Sequence, residues 1–205
     1  MEYFVDGHGR AEPIRFLLYH AGVDFDDSLL NQEEWVERKQ FSDNVGEFGK
    51  LPLLTAKGRP LGQSMSILRS LGIKHGYYSP DDWKLAYHTD VIVDCWVDVF
   101  ESIAKVLFGM PDATEEEKAE AITNAIQNVH IPTMQMIENQ LRDLGGPYVA
   151  GKRITIADCC CAAALFNIWC NSTGPFSSTF APILSNYPGL CQYKALLEKE
   201  FKKRL

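Results

Sequence analysis

Residues 48–64 read Phe48-Gly49-Lys50-Leu51-Pro52-Leu53-Leu54-Thr55-Ala56-Lys57-Gly58-Arg59-Pro60-Leu61-Gly62-Gln63-Ser64. Leu51 to Ala56 has the length and composition of a strand, Lys57-Gly58 is a turn pair, and Arg59 to Leu61 is a short returning strand. Gln63 to His75 then takes a helical pattern. An X-Pro bond at the head of a strand, after a glycine and a cation, has two readings. One is a plain turn into an edge strand. The other is a cis Leu51–Pro52 bond, a rare feature that marks a purpose. It turns the N–H and C=O of Leu51 outward, where an extended peptide can pair as an added strand does. Gln63-Ser64 is equally two-sided. It is an ordinary helix start, or a seat for an anion at the first N–H groups and the positive end of the dipole.

Before this stretch, Met1 to Val5 reads as a strand. Arg10 to Ala21 places Ile14, Leu17, Leu18 and Ala21 on one helical face, with Pro13 tolerated in the first turn and Gly22 as the stop. Val23 to Leu30 is a second strand, and Glu33 to Gln40 a short helix around Trp35. The predicted order through His75 is βαβαββα. After it, Gly76 to Pro80 is a linker, and Ser79-Pro80-Asp81-Asp82 caps a long helix from Asp81 to Phe108. Thr114 to Leu144 is another helix, with Ile122, Ile126, Val129, Thr133, Ile137, Leu141 and Leu144 along one stripe and a bend expected at Pro132. Ile156 to Cys170 is apolar nearly all round and is the predicted central helix. Thr155-Ile156-Ala157-Asp158 ahead of it is a capping box with Asp in the Glu position, a structural device. Two shorter helices close the chain.

Composition excludes several classes. The 205 residues are 46% hydrophobic and 23% charged, which rules out wholesale disorder and collagen-like structure. The longest apolar run, Cys159 to Phe166, falls well short of the ~18 residues of a membrane span. No basic stretch followed by an apolar one opens the chain, so no secretory leader is expected. The 20 Lys+Arg against 27 Asp+Glu give a net charge of −7, and the densest basic run is only Lys202-Lys203-Arg204. Nucleic acid is a poor partner for such a surface.

Six cysteines, at 95, 159, 160, 161, 170 and 191, lack any zinc-site spacing. They fall mostly among Ala, Leu and Ile, where a thiol packs as a small apolar group. The reading is a reducing compartment, the cytoplasm. Cys159, Cys160 and Cys161 splay about 100° apart on a helix, so they pack the core rather than bind metal. Asn171-Ser172-Thr173 has the form of a glycosylation sequon and is read as chance. Asp90, Asp94 and Asp98 recur on one helix face. They make a solvated or interface face, or a divalent-cation site between subunits. Of the five histidines, His8 alone stands beside the candidate site described next.

Tyr3-Phe4, Gly9-Arg10-Ala11-Glu12, Trp35 with Lys39, Phe48-Gly49-Lys50-Leu51-Pro52, Gln63-Ser64 and Thr155-Ile156-Ala157-Asp158, in this order and spacing, are together no longer generic. With them the chain resembles the cytosolic glutathione S-transferases nearly end to end. It is most similar to the sigma class, with alpha, mu and pi as near relatives. The resemblance implies an α/β thioredoxin-like domain over residues 1–76, a linker at 77–80 and an all-α domain over 81–205. It implies glutathione as co-substrate and no metal. Lys39, Lys50 and Trp35 would hold the glycine carboxylate, Leu51 before Pro52 the cysteine backbone, and Gln63 with Ser64 the γ-glutamyl carboxylate. The ammonium would meet Asp98 of a second subunit, with Asp94 one turn away. The site would be complete only in a homodimer, with Phe48 plugged into the partner.

In the related classes a tyrosine hydroxyl at the end of the first strand hydrogen-bonds the sulfur and favours its thiolate. Tyr3 stands seven positions before Arg10, one more than in the family; the ungapped count falls on Phe4. Tyr3 keeps the Tyr-Phe pair and puts Met1, not Glu2, on the buried side. The extra residue then belongs to Val5-Asp6-Gly7, where glycine eases an insertion. Tyr3 and Arg10 are therefore the expected catalytic residues; if Phe4 takes the tyrosine place, Arg10 remains to stabilise the thiolate. Phe4, Phe100, Ile103 and Leu107 are candidates for an apolar pocket wall. The implied activity is detoxifying conjugation of the thiolate to small apolar electrophiles. The rivals are a glutathione-dependent isomerase of the prostaglandin D synthase type and a non-catalytic binding or structural protein of the same fold. A thioredoxin-type oxidoreductase is disfavoured, because the first cysteine is Cys95.

Overall fold

Strand β1 (Glu2–Phe4) organises the first half of the chain. It pairs in parallel with β2 (Ser28–Leu30), in the register Glu2 to Ser28, Tyr3 to Leu29 and Phe4 to Leu30. On its other side Glu2 exchanges both backbone hydrogen bonds with Leu53, at 2.8 and 3.1 Å. Leu53 leads directly into β3 (Leu54–Ala56), which turns through Lys57 and Gly58 into antiparallel β4 (Arg59–Leu61). Both turn residues have positive φ, the backbone of a tight hairpin. The strands therefore follow the order β2-β1-β3-β4. This computed structural model describes residues 1–4, 8–41, 45–174 and 176–202. The Val5-Asp6-Gly7 loop and the end of the Lys202-Lys203-Arg204 run lie outside the described residues.

Helices α1 (Glu12–His20), α2 (Gln32–Phe41) and α3 (Ser64–His75) complete the expected βαβαββα half. A 3-10 turn, Gly9–Ala11, precedes α1. The second strand is shorter than Val23 to Leu30, because Val23 is still bonded back to Leu18 at the end of α1. The third starts at Leu54 rather than Leu51, since Pro52 has no N–H to offer a ladder.

The remainder is helical: α4 (Trp83–Phe108), α5 (Glu115–Ala125), α6 (Ile131–Asp143), α7 (Ile156–Ala164), α8 (Ser177–Leu184) and α9 (Pro188–Glu200). Helix α4 starts at Trp83 rather than Asp81, and Asp82 of the expected capping run caps it, accepting from the Leu85 N–H at 3.2 Å. Every residue of α7 is buried, and it packs against both α1 and α4, so it is the centre of the core. Cys159, Cys160 and Cys161 point into that core as small apolar groups. No helix of the described residues is long and apolar enough to cross a membrane.

The single helix expected from Thr114 to Leu144 is instead α5 and α6 joined by a π-turn, Ile126–His130. The reason is local. Pro132 has no N–H and its ring crowds the carbonyl four residues back. The wider turn absorbs this, with the Ile131 N–H reaching the carbonyl of Ile126. A second π-turn, Leu165–Trp169, prolongs α7. The two turns are tied together. The Trp169 indole N–H donates to Nδ1 of His130 at 2.9 Å. That assigns the His130 proton to Nε2, which donates to Ser102 Oγ at 3.0 Å, and Ser102 donates on to the Val99 carbonyl.

Burial takes the His130 imidazole down to about 4. The unfolded chain, with a histidine near ~6.5, binds the proton first, so acid favours unfolding. The stabilisation is complete above pH ~6.5 and is lost as pH falls towards about 4. The full loss is about 3 kcal/mol at ~1.36 kcal/mol per unit. Urea titrations between pH 7 and pH 4 should show this slope in the wild type and a shallower one in His130→Gln. Parallel curves would remove the linkage.

Candidate functional site

The Leu51–Pro52 bond is cis, as the sequence suggested. Pro52 is buried and Leu51 half-buried, while Lys50 is exposed. Helix α2 meets this loop. A reciprocal Asn31–Glu34 pair, at 2.7 and 2.9 Å, sets its first turn and with it the register of Trp35. Trp35 is buried, and the Lys39 ammonium lies 5.8 Å from its ring centroid. The Lys39 stem comes to 3.9 Å from where a Cβ on Gly49 would stand. Trp35, Lys39 and the Gly49–Leu51 segment therefore share one edge of the sheet half.

Gln63, at the start of α3, has φ 66° and ψ 97°. A glutamine held at positive φ costs about 1–3 kcal/mol, a strain that is concentrated at functional sites. Its side chain does not cap the helix. It stays exposed beside the buried Ser64, leaving the first-turn N–H groups to other partners.

Tyr3 and Phe4 fall on opposite faces of β1, as strand geometry requires. Tyr3 is buried at 7% exposure; Phe4 is only half-buried. Glu2, on the Phe4 side, is bound by Arg38 of α2 at 2.9 Å. The Tyr3 hydroxyl accepts the backbone N–H of Arg10 at 3.2 Å. It packs so closely on Gly9 that a Cβ there would stand 2.3 Å from the oxygen. Glycine is obligatory at that contact, and its φ of 37° fits the same conclusion. Burial raises the Tyr3 phenol pKa, and the hydrogen bond from Arg10 pulls it back.

The Arg10 side chain turns to α4. Its Nη2 lies 2.7 Å from Glu101 Oε1, and its guanidinium stacks 5.1 Å from the Phe100 centroid. Phe100 therefore packs against Arg10. Ile103 does not: with Val99 and Val106 it lies on the buried face of α4 and belongs to the core. Leu107 is exposed.

The three aspartates of α4 part company. Arg69 of α3 binds Asp90 at 2.8 Å and Asp94 at 3.1 Å, and Tyr78 donates to Asp90 at 2.6 Å. A protein cation therefore stands where the divalent-cation reading put a metal. Asp98 is exposed and lines a groove of about 430 Å³ with Cys95, Glu101, Val129 and Met136. Sequence reasoning missed Arg69 and Glu101, and it quoted Glu12 without giving it a role. Glu12 is a buried carboxylate bound by Arg15 at 2.7 Å and by Asn167 at 3.3 Å.

The family described as "Glutathione S-transferase, C-terminal domain" matches residues 97–202. Glutathione S-transferase 1 of Ascaris suum is 31% identical over 161 residues, which cover 77% of this chain and 74% of that protein. Glutathione S-transferase alpha-4 of Rattus norvegicus is 29% identical over 192 residues, 94% of this chain and 80% of that protein. Among solved structures, monomeric Na-GST-3, a glutathione S-transferase of the hookworm Necator americanus, superposes with a TM-score of 0.76. It is 25% identical and covers 98% of this chain and 93% of its own.

Proposed function

The chain belongs to the glutathione S-transferase family, and from that membership we propose that it joins the thiolate of glutathione to small apolar electrophiles. The observation that carries the reading is the Tyr3 hydroxyl. It accepts from the Arg10 N–H, and its own hydrogen has no acceptor among the described residues. It is a donor in reserve, suited to a sulfur anion. Lys39, Lys50 and Trp35 would take the glycine carboxylate of glutathione. Leu51 would pair with its cysteine backbone, and Gln63 with Ser64 would seat the γ-glutamyl carboxylate at the start of α3. Phe4 and Phe100 would face the electrophile.

Finer features of the proposal rest on the sequence runs. The W-x-x-x-K and F-G-K-x-P patterns favour the sigma class, although the rat relative carries an alpha-class name. The domains would run over 1–76 and 81–205 with a linker at 77–80. All six cysteines are free, in keeping with a cytoplasmic, detoxifying enzyme. A homodimer would bring Asp98 to the ammonium of the second subunit's glutathione. Phe48, exposed before Gly49, would plug into the partner.

A conjugation assay with glutathione and a generic aryl halide tests the activity, and a rate no higher than the uncatalysed one would overturn it, leaving the glutathione-dependent isomerase or a binding protein of this fold. Light scattering should give twice the chain mass at micromolar concentration. A fully active monomer would remove the borrowed Asp98.

A further inference from the structure

We propose that the groove between α4 and α6 is a site for a soft monovalent metal ion, Cu(I), held between the sulfurs of Cys95 and Met136. The inference stands apart from the transferase reading. Cys95 Sγ and Met136 Sδ lie 4.0 Å apart, the thiol as a weak donor and the thioether as a weak acceptor. Both side chains are half-buried, and both line the groove of about 430 Å³. Cys95 comes from the middle of α4 and Met136 from α6, so the packing of two helices sets their separation.

The distance fits one metal ion between two sulfurs. With metal–sulfur bonds of ~2.3 Å, sulfurs ~4.0 Å apart subtend about 120° at the metal, the angle of a three-coordinate site. Thiolate and thioether together select Cu(I). Calcium and magnesium demand oxygen ligands, and zinc takes thiolate, imidazole and carboxylate rather than thioether. Charge points the same way. Asp98 and Glu101 also line the groove, and among the described residues no Lys or Arg does. Glu101 is paired with Arg10, whereas no cation pairs with Asp98 among the described residues. Asp98 follows Cys95 by three positions, on the same helix face, so its carboxylate draws a cation towards the thiol. Packing alone also brings sulfurs together. Cys159, Cys160 and Cys161 pack in that way, closed in the core, but Cys95 and Met136 stand on the wall of an open groove. Nor is Cys95 placed to be alkylated. Burial, with Asp98 and Asp94 beside it, raises its thiol pKa and keeps the sulfur protonated.

Binding involves no change of oxidation state. The Cys95 S–H bond breaks, the electron pair left on sulfur forms the bond to copper, and the proton passes to water. Met136 adds a lone pair from its thioether. The copper stays monovalent throughout.

The test titrates Cu(I) alone into the full-length protein against a chromophoric Cu(I) chelator. Oxygen is excluded, and so is glutathione, whose thiol would compete. One ion should bind per chain. Cys95→Ser should abolish that binding. Met136→Leu, which keeps the volume of the side chain, should weaken it on the order of tenfold to a hundredfold, the range for removing a group that supports a metal. Ag(I), a redox-inert substitute, should raise the melting temperature of the wild type but not of Cys95→Ser, because only a bound ion stabilises the folded state. Cys170→Ser combined with Cys191→Ser, which alters thiols outside the groove that solvent reaches, should leave the affinity unchanged. Absence of binding, binding retained in Cys95→Ser, an unchanged affinity in Met136→Leu, or tighter binding of calcium than of Cu(I) would each overturn the site.

Discussion

Asp158→Ala should destabilise the protein by about 3–5 kcal/mol, the range for breaking a buried, hydrogen-bonded charge. Asp158 is completely buried. Its Oδ2 accepts from the Thr155 N–H at 2.7 Å and the Thr155 hydroxyl at 3.1 Å. Its Oδ1 accepts from the Val149 N–H at 3.1 Å and from the Tyr193 hydroxyl. One carboxylate therefore joins the loop before α7, the start of α7 and the middle of α9. Burial pushes its carboxyl up, and these hydrogen bonds pull it back. Alanine would strand the Thr155 and Val149 N–H groups and the Tyr193 hydroxyl away from water, each costing about 1–3 kcal/mol, with partial relaxation. That is a large share of the typical 5–15 kcal/mol of a folded chain. Asp158→Asn should lie between, since its amide keeps one acceptor but turns a donor towards groups that are themselves donors. Urea denaturation measures both. A loss below about 1 kcal/mol for Asp158→Ala would mean that the network contributes little beyond ordinary capping.

The capping box was legible because it is local. Thr155 and Asp158 are three positions apart, and the run after them is apolar on every face, so a buried helix start is the one economical reading. The cis Leu51–Pro52 bond and the Trp35–Lys39 pair are legible for the same reason, since each lies within one turn or one bond. What the sequence hid is joined over distance. Arg10 and Glu101 are 91 positions apart, and His130 and Trp169 are 39 apart. No spacing rule connects such residues until α1, α4, α6 and α7 are packed. Ile103 shows the same limit from the other side. Its apolar character suits a pocket wall or a core equally well, and only the packing of α4 on α7 decides between them. Pro132 announced a break in the stripe from Thr114 to Leu144. Its remedy is a π-turn, Ile126–His130, and the partners that turn finds across the core, Trp169 and Ser102, lie too far along the chain to be read from it. Asp90 and Asp94 were readable as a charged face, but the cation opposite them comes from α3.

Tyr3→Phe should cost on the order of tenfold or more in turnover at pH 7 and much less at pH 9. A hydrogen bond to a thiolate is worth roughly 1.5–3 kcal/mol, which lowers a thiol from about 8.5 by one to two units at ~1.36 kcal/mol per unit. The glutathione sulfur is then largely ionised at neutral pH; without the hydroxyl it must wait for higher pH. Because burial holds the Tyr3 phenol above its ordinary range, Tyr3 stays protonated and still donates at pH 9. The same hydroxyl accepts the Arg10 N–H, so the variant also loses about 1 kcal/mol of stability, which denaturation measures separately. Arg10→Ala is the needed comparison. Its guanidinium is paired with Glu101 at 34% and 57% exposure, a surface contact worth about 0–1 kcal/mol. Arg10 can therefore be turned towards a thiolate at small cost, and removing it should raise the thiol pKa modestly. Phe4→Ala, on the other face of β1, should mainly weaken binding of the electrophile. If Tyr3→Phe leaves the pH–rate profile in place while Arg10→Ala moves it upward, the buried tyrosine is only a brace for the Gly9–Arg10 turn. The thiolate is then held by Arg10, released from Glu101 when glutathione binds.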